Sequence, residues 1–82
     1  MPFTYILYSA KLDKYYVGAC TDIERRLYEH NIGHSKFTST GTPWVVVHNE
    51  IFETLQEAKR REAYIKKQKS RKYIERLFGK IP

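Results

Sequence analysis

The sequence predicts one small α+β domain, and three observations carry that reading. Runs rich in aromatic and β-branched residues at 4–8, 15–18 and 44–48 have the character of strands. Thr21, Thr54 and Ser70 each stand where a hydroxyl can cap a stretch with helical spacing. Hydrophobic residues make up 41% of 82 positions and aromatics 15%, enough for one packed core but too little chain for two.

Taken in order, Phe3 to Ser9 alternates Phe3, Tyr5 and Leu7 with Thr4, Ile6 and Tyr8, a strand pattern. The polar link Ala10–Lys14 leads to a second strand, Tyr15 to Gly18, so the two form a hairpin. Gly18 is expected to end that strand through a close approach or a sharp bend. Thr21 and Glu24 have the spacing of a capping box, opening a helix that ends around Asn31 to Gly33. At about 100° per residue, Ile23, Leu27 and His30 share one face, with Arg26 on its flank. Ile32 to Pro43 reads as a polar loop. Trp44 to His48 is the third strand, with Glu50–Phe52 continuing it after an irregularity at Asn49, and its unbroken valines suggest a central place covered on both faces. Thr54 and Glu57 form a second capping box for a helix to about Gln68, whose apolar seam is Leu55, Ala58 and Ile65. Ser70 caps a third helix, about 70–78, with Tyr73, Ile74, Leu77 and Phe78 inward and Gly79 as its stop.

The formal net charge is +6, and ten of the fifteen Lys and Arg fall from Lys59 onward. That asymmetry suggests a polyanionic partner, although a solvated helix face accounts for it equally well. The single cysteine, Cys20, excludes an internal disulfide framework and a thiolate metal site, and fits a reducing compartment. Met1 to Tyr5 lacks the basic and apolar regions of a signal peptide, and no stretch approaches the roughly 20 apolar residues needed to span a bilayer. The expectation is a cytoplasmic protein with no membrane partner.

Glu62 falls inside the apolar seam of the second helix, where an ionised carboxylate loses hydration and needs a partner. Two readings stand side by side: an ion pair with Arg26 or a neighbouring lysine, or a lone carboxylate holding one divalent cation against a phosphate. Arg26 and His30, four residues apart on one helix, can together grip a phosphate, the arginine by paired donors and the histidine by exchanging a proton near neutral pH. The alternative is Arg26 paired with a carboxylate and His30 capping its helix. Tyr5 and Tyr16 lie on the two hairpin strands and can sit side by side across the ladder, whereas Tyr8 and Tyr15 read as packing. His34 and His48 are weaker candidates.

These residues resemble the GIY-YIG nuclease superfamily, found in phage homing endonucleases, in the N-terminal part of the nuclease that makes the incisions of bacterial excision repair, and in flap endonucleases. The chain is similar to its small stand-alone bacterial members. Thr4-Tyr5-Ile6-Leu7 matches the first half-motif and Tyr16-Val17-Gly18 the second, with tyrosines eleven positions apart. Asp22 to His30 matches the segment that carries the family's arginine and histidine, here Arg26 and His30. Glu57 to Glu62 resembles the helix supplying the metal-binding glutamate. The chain departs from the pattern where Phe3-Thr4 replaces a glycine, where Ala19 and Cys20 stand in place of a lysine, and where a late asparagine is absent.

The resemblance implies a central three-stranded antiparallel sheet flanked by helices, spanning 1–82 as one domain. It also implies hydrolysis of DNA phosphodiesters with one Mg²⁺ or Mn²⁺. Tyr5 or Tyr16 would position or deprotonate the attacking water, Arg26 would steady the phosphate beside His30, and Glu62 would hold the metal. A phenol needs its pKa lowered to act as a base, and the metal or Arg26 is the expected cause. The expected activity is a metal-dependent endonuclease in DNA repair or in processing branched or single-stranded DNA, with RNA left open, working as a monomer or weak dimer. The alternative is a catalytically weak or inactive nucleic-acid-binding module of the same fold. Lys36, Lys59, Arg60, Lys66, Lys67, Lys69, Arg71 and Lys72 are the candidate phosphate contacts.

Overall fold

A computed structural model describes residues 1–33 and 36–80, with the backbone alone at Lys36 and Phe37. His34 therefore lies outside the described residues. The elements run β1 (Phe3–Ser9), β2 (Lys14–Cys20), α1 (Ile23–Asn31), α2 (Lys36–Ser39), β3 (Trp44–Ile51), α3 (Leu55–Gln68) and α4 (Arg71–Leu77). The three strands form one antiparallel sheet in the order β2-β1-β3.

The alternation along β1 builds two cores. Tyr5 and Leu7 point to one face, where they pack with Cys20, Trp44 and the α1 residues Ile23 and Leu27. Ile6 points to the other, where it meets Val17, Ile65 and the α4 residues Tyr73, Ile74 and Leu77. The result is a helix–sheet–helix sandwich with β1 buried along most of its length.

The valine run does not mark the central strand. β3 is an edge strand and β1 is central. A run that is apolar on both sides reports two covered faces, and in this sandwich an edge strand has both: Val46 joins the α1-side core and Val47 the α3-side core. The irregularity also falls earlier than Asn49. Ile6 pairs with His48 while Leu7 pairs with Val46, so Val47 is the extra residue of a bulge.

Gly18 does not end β2, which continues to Cys20. It stands opposite Tyr5, whose ring lies across it; an added Cβ would sit 2.5 Å from Tyr5 Cζ. The expected close approach is present without a bend. Asp22, not Thr21, caps α1, its side chain accepting from the Arg25 amide at 3.1 Å. The strand's extra length shifts the cap by one residue and keeps the three-residue reach. Within the stretch read as loop lies α2, which the sequence did not signal. The box at Thr54 and Glu57 forms as expected. Ser70 caps α4 by accepting from the Tyr73 amide.

Candidate active site

The hairpin register sets the two motif tyrosines diagonally on one face. Tyr5 is opposite Gly18 and Tyr16 opposite Leu7, not directly across from each other, and the ring centroids are 6.4 Å apart. With no side chain at Gly18, the Tyr5 ring lies flat against the sheet and its hydroxyl reaches α1. There it meets His30 Nε2 at 3.3 Å. The His30 ring is 4.8 Å from that of Tyr16, so Tyr5, Tyr16 and His30 form one cluster.

His30 is buried rather than capping the helix end. Its other nitrogen, Nδ1, lies 3.0 Å from the hydroxyl of Thr38, itself buried in α2. The Thr38 carbonyl accepts from Trp44 Nε1 at 2.7 Å. Asn31 adds a peptide-like double contact: its side chain donates to the Trp44 carbonyl and accepts from the Trp44 amide at 2.6 Å. The end of α1 is thereby fastened to the start of β3, which fixes the histidine.

Glu62 is positioned from the other side of the sheet. The buried Thr4 hydroxyl donates to the Ala58 carbonyl at 2.6 Å, and Ala58, fully buried, lets α3 lie close on β1. One turn later comes Glu62, whose carboxylate pairs with Lys66 Nζ at 2.6 Å. The neighbouring-lysine reading of Glu62 thus holds and the pairing with Arg26 does not. Lys66 in turn lies over the Tyr16 ring, 5.9 Å from its centroid.

Burial is the largest influence on the Tyr5 hydroxyl and raises its pKa; Tyr16 adds to the rise, Arg26 opposes it and Glu62 reinforces it. Without a metal, loss of water outweighs the guanidinium at Tyr5, so Arg26 by itself does not bring the phenol below its ordinary value. Burial, with help from Arg26, lowers the pKa of His30, so the imidazole is neutral at pH 7. Cys20 is pushed up by burial and stays a thiol.

Arg26 is half exposed and 3.9 Å from Glu29. It lines a cleft of about 460 Å³ between the end of β2 and the starts of α1 and α3, together with Arg25, Asp22, Glu29 and Lys59. Tyr5, Tyr16, His30 and Glu62 are not among the residues lining that cleft. Among the described residues no three His, Cys, Asp or Glu side chains converge as a metal-ligand group.

Residues 1–74 match the GIY-YIG catalytic domain. The chain belongs to the GIY-YIG family. This GIY-YIG chain is 48% identical over 65 residues to the UPF0213 protein VNG_2274C of Halobacterium salinarum, a match covering 78% of this chain and 83% of that one. To the UPF0213 protein lwe0147 of Listeria welshimeri it is 46% identical over 66 residues, covering 79% and 72%. The solution NMR structure of the UPF0213 protein BH0048 from Bacillus halodurans is similar with a TM-score of 0.56 and 34% identity, over 94% of this chain and 82% of that one. Membership makes this a domain of nuclease type, with nucleic acid as the substrate class.

Around this GIY-YIG centre the cationic candidates divide. Lys59, Arg60, Lys67, Lys69 and Lys72 are exposed. Lys66 is engaged with Glu62. Arg71 is committed elsewhere: its guanidinium donates to the Asp13 carboxylate and carbonyl and to Glu75, and lies over the Tyr15 ring. That network pins α4 to the hairpin turn, a structural role the sequence reading of Arg71 did not include. The side chain of Lys36 lies outside the described residues. Sequence reasoning missed Thr38 and Asn31, which no local pattern marks. It offered a neighbouring lysine for Glu62 without naming Lys66, which the four-residue spacing singles out. Among the described residues no helix is long and apolar enough to cross a membrane.

Proposed function

We propose that the chain is a metal-dependent endonuclease that hydrolyses DNA phosphodiester bonds, acting in repair or on branched or single-stranded DNA. The observation that carries this reading is the convergence on the Tyr5 hydroxyl. It meets His30 Nε2 at 3.3 Å and packs beside Tyr16, with ring centroids 6.4 Å apart.

Glu62 offers one carboxylate, which a bound cation would share with or take from Lys66 Nζ, now 2.6 Å away. That donor fits Mg²⁺ or Mn²⁺, hard cations that commonly take one or two carboxylates and fill the rest of their shell from water and phosphate. Glu62 would hold the ion, and the ion when bound supplies charge that offsets what builds on the phosphate and leaving oxygen. Arg26 faces the same charge with paired donors. Tyr5, buried and holding its proton, serves as a positioned hydroxyl joined to the neutral His30. Tyr16, less buried and at the mouth of the site, is the phenol that meets the attacking water.

Incubation of purified protein with flap, branched and single-stranded DNA, with Mg²⁺ or Mn²⁺ against chelator, tests the reading. Cation-dependent cleavage that drops about 100-fold or more in Glu62→Ala, with DNA affinity retained, is the expected result. Cleavage unaffected by that substitution, or DNA binding without turnover on any substrate, would favour a binding module instead.

A further inference from the structure

A second cleft, of about 300 Å³, opens between β2, the end of α3 and the start of α4. Its walls are Tyr15, Tyr16, Ile65 and Ile74, and Lys66 and Lys69 stand beside them. The two clefts flank the reaction centre along the same pair of elements. On α3 the order is Lys59 in the first cleft, then Glu62, then Lys66 in the second. On β2 it is Tyr16 in the second cleft, then Gly18 beneath Tyr5, then Cys20 in the first. The two clefts therefore lie on either side of Glu62 along α3 and of Gly18 along β2.

We propose that the second cleft receives one unpaired nucleobase of the substrate strand, with Lys69 on the phosphate beside it. This rests on reading the centre as a nuclease site and names what that site prefers. Aromatic and aliphatic walls suit the flat face of a base, and the adjoining exposed Lys69 ammonium suits its phosphate. Lys66 already lies over the Tyr16 ring, so that face is reachable from the cleft. A second observation concerns Lys69. It ends α3 in the left-handed conformation, with φ 48° and ψ 40° and its amide closed onto the Lys66 carbonyl. Glycine or asparagine is the usual residue there, and a lysine is strained. The strained position carries an ammonium at this cleft. A base stacked inside a duplex cannot enter, so the substrate strand must be unpaired or open at this nucleotide.

Fluorescence anisotropy with Ca²⁺ in place of Mg²⁺ measures the affinity for a labelled oligothymidylate, for the same strand in a duplex, and for single strands with an abasic site at successive positions. Single strand is expected to bind about fivefold or more tighter than duplex, and one abasic position to weaken binding by a similar factor. Lys69→Gly relieves the strained backbone, so its Tm is expected to rise while its affinity for single strand falls about threefold. Equal affinity for the two forms with no abasic effect, or a higher Tm in Lys69→Gly with undiminished affinity, would overturn the assignment. If Mg²⁺-dependent cleavage is present and lost in Glu62→Ala while binding ignores the bases, the cleft assignment alone fails. If no DNA is bound in any form, both fail.

Discussion

Gly18→Ala is the substitution with the clearest structural consequence. The new methyl group would sit 2.5 Å from Tyr5 Cζ and 3.0 Å from Cε1, about 1 Å inside ordinary carbon contact. The ring is 2% exposed and its hydroxyl is held at His30, so it cannot yield without breaking that contact or pushing into the Leu7–Trp44 core. Overpacking of this kind costs about 1–3 kcal/mol. Against it stands a gain of about 0.5–1 kcal/mol, because alanine loses less backbone freedom on folding than glycine does. The net is a destabilisation centred on about 1 kcal/mol and reaching about 2.5, which in a domain of this size lowers Tm by about 4–8 °C per kcal/mol. Thermal unfolding followed by circular dichroism reads the shift, and cleavage should fall with it because the Tyr5 hydroxyl is displaced. In a Tyr5→Ala background the clash is gone, so adding Gly18→Ala should be neutral or stabilising; the cycle isolates the contact. A Tm and activity both unchanged in Gly18→Ala would refute the seating of Tyr5 on the glycine.

Thr4→Val keeps the shape of a fully buried side chain but removes the bond to the Ala58 carbonyl; a loss of about 1 kcal/mol is expected, with Tm down by about 4–8 °C. Because that bond seats α3 one turn before Glu62, cleavage should fall more than nucleic-acid affinity does. His30 gives a pH dependence: burial depresses its pKa, so below its ordinary value of 6.5 the unfolded chain takes up a proton that the folded one resists. Stability is therefore fully present above that value and falls as the pH falls through it; Tm measured from about pH 8 to pH 5 should drop, with a shallower slope in His30→Gln.

How much of this was legible beforehand differs by element. Thr54 with Glu57, and Ser70, announced their helices because a cap is a contact over three residues, set by nearest neighbours. The hairpin was legible for the same reason. Asp22 in place of Thr21 shows the resolution of such signals: both residues can cap, and only the length of the preceding strand chose between them. The bulge at Val47 and the helix at Lys36–Ser39 left no local pattern. The candidate residues Tyr5, Tyr16, Arg26, His30 and Glu62 were named from spacing and resemblance. Their environments were not: the raised pKa of Tyr5, the burial of His30 against Thr38 and the pairing of Glu62 with Lys66 depend on how the chain packs around them.

The sequence by itself determined the order and kind of the elements, the two apolar faces of the sheet and the identity of the chemical groups, because periodicity, capping and charge are properties of neighbouring residues. Only the tertiary structure decided which strand is central, which glycine the tyrosine lies on, and how far each ionisable group is removed from water. Those outcomes depend on burial summed across two helix layers, and burial is created only when distant segments pack.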